Sequence, residues 1–132
     1  MVRVILDTNF LLLPYQYTID IFTQIQHIVD GKAEFCIIDK TKDELAKLMH
    51  LGTLKERMAA RLGNTFVAEF AKMKKMHVIR TFFARSVDDA LMRRATKHDY
   101  VATMDKALKE ALKDKGVKVI TLRGHHCVVE HK

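Results

Sequence analysis

Tryptophan is absent from this chain of 132 residues, proline occurs once, cysteine twice and glycine five times. Each shortage excludes something. Two cysteines, Cys36 and Cys127, make no disulfide framework. Cys36 lies in an apolar run and reads as a small core hydrophobe, so the pair fits a reducing compartment. With one proline and few glycines there is no linker, and repeats and low-complexity stretches are missing, so residues 1–132 are expected to form a single domain. No apolar run approaches the roughly 20 residues that a membrane helix needs. The nearest, Val2 to Pro14, is interrupted by Arg3, Asp7, Thr8 and Asn9. The chain start lacks the basic region, apolar stretch and small-residue site of a signal peptide, which makes the cytoplasm the expected location, with no membrane partner. Glycine-rich phosphate loops and the dinucleotide fingerprint are missing too, which argues against nucleotide-fuelled or NAD chemistry. Aromatic content is low, and no stacking platform for unpaired bases is evident.

What the chain does have is positive charge. Lys and Arg number 23 against 16 Asp and Glu, a net charge of +7. Such a balance suits a polyanion, because bound Lys and Arg release counterions from phosphates, although it also serves solubility. Hydrophobic residues make up 48%, enough for an ordinary core. They alternate between short apolar runs and helical patterns, which indicates an α/β protein. Val2–Leu6, Phe35–Ile38, His77–Ile79, Tyr100–Ala102 and Val117–Leu122 read as strands. Helices are expected from a Thr18 cap, from Thr41, over Leu54–Met73 with a break at Gly63-Asn64, over Val87–Lys97 and over Lys106–Lys113. Five strands joined by helices imply a mostly parallel sheet covered on both faces, with sites beyond the carboxyl ends of the strands.

Four carboxylates fall at those ends. Asp7 follows the first strand and Glu44 the second. Asp89 lies in the first turn of the helix from Val87, and Asp105 closes the loop after Tyr100–Ala102. Convergence of these acids suits a hard cation, which takes one or two carboxylates and keeps waters and phosphate in its other positions. Crowded acids without a cation would repel and raise each other's pKa values. Singly, each has a structural alternative. Thr41-x-x-Glu44 fits a capping box, Ser86-x-x-Asp89 has the same spacing, and Asp7 and Asp105 suit helix N-caps.

These segments resemble the motifs of PIN domains. Val4–Leu12 (VILDTNFLL) is similar to their opening strand and acidic turn. Lys42-Asp43-Glu44-Leu45 resembles the second motif, Ser86–Leu91 (SVDDAL) the third and Val101–Leu108 (VATMDKAL) the fourth. The likeness covers nearly the whole chain. It is nearest in kind to small archaeal stand-alone PIN proteins, which are similar both to VapC-type toxins and to the PIN nucleases of ribosomal RNA processing. The resemblance implies a three-layer α/β/α fold with a central parallel five-stranded sheet in the order 3-2-1-4-5. It implies a Mg²⁺- or Mn²⁺-dependent endoribonuclease with Asp7, Glu44, Asp89 and Asp105 as catalytic, metal-binding acids. Asn9 and Thr103 would support them. Asp88 adjoins Asp89, but neighbours on a helix face different ways, and Asp89 is taken as the ligand. Where the family often has Asn before its last Asp, this chain has Met104, one polar group fewer near the site.

RNA is the expected partner, with an antitoxin or a ribosome-assembly factor beside it. Arg93, four residues beyond Asp89, and Lys106, beside Asp105, are the candidate RNA contacts, against the alternative of solvated surface. Met58, Phe66, Phe70 and Met73 recur at helical spacing, as core or as the contact of a homodimer. His125, His126, Cys127 and His131 match no zinc-finger spacing. The alternative function is a PIN-like scaffold that holds RNA or an assembly partner without cutting. A phosphoacceptor receiver domain is a third reading, but it needs an acidic pair after the first strand and an Asp after the third, and the chain has neither.

Overall fold

Strands that are apolar on both sides need cover on both sides. The computed structural model, which describes residues 1–132, supplies it. Five strands run parallel: β1 (Val2–Leu6), β2 (Ala33–Ile38), β3 (Met76–Ile79), β4 (Tyr100–Ala102) and β5 (Lys118–Arg123). A sixth, β6 (Cys127–His131), pairs antiparallel with β5. The sheet order is β3-β2-β1-β4-β5-β6, so the parallel part has the expected 3-2-1-4-5.

Successive residues of a strand point to opposite faces. Val4 and Leu6 of β1, with Phe35 and Ile37 of β2, therefore enter one core, while Ile5, Cys36 and Ile38 enter the other. The first core is covered by α1 (Leu13–Tyr17), α2 (Ile21–Ile28), α3 (Asp39–Leu51) and α4 (Leu54–Lys72). The second is covered by α5 (Val87–Arg94) and α6 (Lys106–Asp114). Three layers result. No helix is long and apolar enough to cross a membrane.

Several local expectations give way to tertiary contacts. The helix after Thr18 is capped by Asp20, whose carboxylate accepts the Thr23 N–H at 3.1 Å. Thr18 itself sits at φ 53°, ending α1. Thr41 does not cap α3, which starts at Asp39; it is buried inside that helix. Gly63-Asn64 does not break the long helix either. The break comes earlier, at Gly52, where Thr53 and Glu56 form a capping box that starts α4. Gly63 instead lies under a 3-10 turn, Thr8–Leu12, so closely that an added Cβ would come within 2.6 Å of the Leu11 carbonyl oxygen. Helix α5 stops at Arg94, before the expected Lys97. The tail forms β6 and is held by Gln24 of α2, which accepts the Val128 N–H at 2.7 Å and donates to the His126 carbonyl at 3.1 Å.

Of the residues at helical spacing on α4, Phe66 and Phe70 join Phe22 and Phe35 in an aromatic cluster. Met58 and Met73 are exposed.

Candidate active site

Because β1, β2, β3 and β4 are parallel, the segments that follow them leave the sheet at one edge. Asp7 is the first residue past β1. Its backbone N–H donates to the Ala102 carbonyl at 2.9 Å, which locks it against the end of β4. Its carboxylate is bound on both oxygens: Oδ1 accepts the Thr8 N–H at 2.8 Å and Oδ2 the Thr103 hydroxyl at 2.6 Å. The side chain is 4% exposed. Burial pushes its pKa up to about 6, with the negative charges of Asp88 and Glu44 adding to the rise and the bonds from Thr103 and Thr8 opposing it.

Glu44 reaches the same place from α3. It is exposed and takes a hydrogen bond from the Thr8 hydroxyl. Thr8 therefore touches both acids, through its amide on Asp7 and its hydroxyl on Glu44. This role for Thr8 went unread in the sequence, where the only signal was a hydroxyl residue beside Asp7. Asp7, Thr8, Asn9, Glu44, Lys47 and Asp88 line one open cavity of about 490 Å³. Lys47, one turn beyond Glu44, is the only cation among its lining residues.

Asp88 and Asp89 part company. Asp88 faces the cavity, and its pKa is raised by burial, then by the charges of Asp105 and Glu44. Asp89, expected among the acids, is turned to the loop before α5. It accepts the Arg85 N–H at 3.0 Å and pairs with Arg93 at 3.2 Å, and both hold its pKa down. Its own N–H is capped by the Ser86 hydroxyl at 3.1 Å. Asp89 is thus engaged at the start of α5 and with Arg93, away from the other acids.

Asp105 caps α6, accepting the Leu108 N–H at 2.9 Å, and its own N–H donates to the Thr103 hydroxyl at 3.1 Å. Its charge is felt at Asp88, but unlike Asp7, Glu44 and Asp88 it does not line the cavity. Thr103, fully buried, joins Asp7 to Asp105 through one hydroxyl. Asn9 does not touch a carboxylate: its Oδ1 accepts the Met104 N–H at 3.1 Å, stapling the turn after β1 to the loop after β4. The Met104 side chain packs into the first core and accepts a 3.7 Å contact from the Thr121 hydroxyl. Lys106 is exposed.

No three His, Cys, Asp or Glu side chains are gathered tightly enough to enclose a metal ion. A hard cation such as Mg²⁺ does not require that, since one or two carboxylates with waters suffice. Asp7, Glu44 and Asp88 on one cavity fit such an ion in donor type and in excess negative charge, with Lys47 the one cation among its lining residues. A second cavity, at the opposite end of the sheet, is lined by Lys32, Lys74 and Lys75 with the single acid Glu34 and gathers no such set.

Comparison with known proteins bears on the chain as a whole. Residues 4–125 match the family model of the PIN-like domain. Ribonuclease VapC4 of Methanocaldococcus jannaschii is 30% identical over 127 residues, spanning 93% of this chain and 92% of that protein. The rRNA-processing protein fcf1 of Schizosaccharomyces pombe is 30% identical over 131 residues, spanning 97% of this chain but 62% of the longer relative. Among solved structures, the PIN domain endonuclease Utp24 superposes with a TM-score of 0.75 at 28% identity, covering 98% of this chain and 90% of that one.

Proposed function

The chain belongs to the PIN-like domain family, and from that premise we propose that it is an endoribonuclease that uses a divalent cation, Mg²⁺ or Mn²⁺. Asp7, Glu44 and Asp88 would hold the cation, and Asp105 would add its charge from beside Asp88. One observation carries this reading. The Asp7 carboxylate is held in a buried place that pushes its pKa up to about 6, with Asp88 and Glu44 adding to the rise, a cost that a bound cation would offset. The names of the relatives, a ribonuclease and an rRNA-processing protein, point to RNA as the substrate.

The protein's own groups would divide the work. Asp7, clamped by the Thr8 amide and the Thr103 hydroxyl, keeps its remaining lone pairs for the cavity. Glu44 is oriented by the Thr8 hydroxyl, so a single residue positions two acids. Lys47 is placed to meet a phosphate of the incoming strand. The cation, when bound, supplies activation of a water and neutralisation of charge on the phosphodiester. Asp89 and Asn9 act as positioning residues, Asp89 on the loop before α5 and Asn9 on the loop after β4. Met104, the one hint of a non-cleaving scaffold, directs its side chain into the core and leaves the acids unobstructed.

The test is cleavage of a panel of structured and single-stranded RNAs with Mn²⁺, Mg²⁺ or EDTA. Cutting should require the metal. It should fall below detection in Asp7→Asn and by at least ~100-fold in Asp88→Asn, whereas Asp89→Asn should lose no more than ~10–100-fold, the range typical of outer positioning groups. Equal loss at Asp88 and Asp89 would remove the assignment of Asp88. RNA binding without any cutting would favour the scaffold reading. An antitoxin or a ribosome-assembly factor is the partner expected in a toxin or a processing role respectively.

A further inference from the structure

The loop from β3 to α5 ends up in a conformation that its composition does not explain. It is tied down on both sides. Thr81 donates its N–H and its hydroxyl to Asp39, at 3.0 and 2.7 Å, and the Arg80 carbonyl accepts from Arg94 at 2.7 Å. On the far side the Arg85 N–H is held by Asp89 at 3.0 Å, and Ala84 is buried. Between these anchors, Phe82 is 78% exposed and Phe83 94% exposed. Phe83 sits at φ 67°, a left-handed conformation that an L side chain adopts only at a cost. Two aromatic rings are thus held in solvent by a braced loop, where folding alone would bury them.

The surroundings identify the occupant. Exposed Arg80 and Arg85 flank the two phenylalanines along the loop, Arg94 of α5 bonds the loop at Arg80, and Arg93 pairs with Asp89, which holds its far end. Asp39 and Asp89, the acids bonded to the loop, are occupied by the loop's own donors. The loop follows β3, so it leaves the sheet at the edge that carries Asp7, Glu44 and Asp88. In the sheet order, β3 is two strands from β1, roughly 10 Å at ordinary strand spacing.

We propose that Phe82 and Phe83 form a stacking platform for unpaired bases of an RNA strand whose phosphates are held by Arg80 and Arg85 and whose scissile bond lies at the neighbouring acid cavity. Exposed aromatic rings with exposed arginines on either side of them in the loop match single-stranded nucleic acid, since every base offers a ring face and every linkage a negative charge. Bases within a duplex are already stacked and paired, so the platform selects single-stranded segments. The same geometry gives Asp39 and Asp89 a task as braces of the platform. The proposal rests on the ribonuclease reading for its substrate, but its test does not depend on cleavage.

Since the chain has no tryptophan, Phe83→Trp introduces a sole indole reporter. In an Asp7→Asn background with EDTA, this variant is titrated with single-stranded oligoadenylate and with the same strand in a duplex. Indole quenching by the single strand and none by the duplex is expected. Independently, the double substitution Phe82→Ala with Phe83→Ala should weaken single-strand binding by roughly tenfold or more while leaving the melting temperature unchanged. Full single-strand affinity in the double variant, or binding without quenching, overturns the platform. So does a wild type that binds no single strand at low salt. Equal RNA affinity with loss of self-association in the double variant would make the tip a protein contact and overturn it as well. Quenching and weakened binding in a protein that never cuts would uphold the platform and end the nuclease reading instead.

Discussion

At Asp7, burial and two neighbouring acids oppose the ionised carboxylate. Its pKa in the fold is about 6, above the ordinary 3.8, chiefly because it is buried. A carboxyl with a raised folded pKa contributes stability that is fully present below the unfolded value and is lost as pH rises through the folded value. At neutral pH the charged form therefore opposes folding by about 3 kcal/mol. Asp7→Asn should raise the stability of the metal-free protein at pH 7 by roughly that amount, and the gain should shrink towards pH 4. Denaturant melts in EDTA across that range check it; a substitution that destabilises at pH 7 would contradict this account. The contrast between Asp88 and Asp89 belongs to the same scale. Adjacent residues on a helix point about 100° apart, so one can face the cavity only if the other does not.

Among the elements, α4 shows how a glycine in a helix can be there for closeness to a neighbour. Alanine favours helix by about 1 kcal/mol over glycine. At Gly63, however, its Cβ would meet backbone, the Leu11 carbonyl oxygen at 2.6 Å, and neither helix nor turn can yield as a side chain would. Gly63→Ala is expected to destabilise the fold by ~1–3 kcal/mol, the usual cost of overpacking. It should also lower cleavage, because the displaced turn carries Thr8 and Asn9. A combined measurement of melting temperature and RNA cutting reads both effects.

Across the whole molecule, the antiparallel β6 closes one side of the sheet without touching the acids. Its register runs from Arg123↔Cys127 to Val119↔His131, and Val128 is buried. Removing residues 124–132 would leave β5 as an unprotected parallel edge and uncover the Ile120 and Leu122 contacts. The truncated chain should melt lower, by an amount consistent with losing about 1.5–3 kcal/mol for one buried valine and its neighbours. It should also self-associate in sedimentation, while the fraction that remains folded still cuts RNA. A truncated chain that stays monomeric and equally stable would show that β6 is dispensable.

The sequence by itself determined the parallel sheet. Runs such as VRVIL and FCII are apolar on both strand faces, and such strands require helices on either side. It also determined that acids follow the strands at Asp7 and Asp105, since both positions are read along a single segment. What lies between segments was decided only by the tertiary structure. The face that α5 turns to the sheet selects Asp88 for the cavity and leaves Asp89 to its loop. The packing of α4 under the turn makes Gly63 a point of contact where the local signal reads as a break. The pairing of the tail with β5 and Gln24 turns an unreadable stretch into a strand, and the braces from Asp39 and Asp89 hold Phe82 and Phe83 in solvent. Each of these depends on partners far apart in the chain, and local periodicity carries no information about which distant group a side chain will meet.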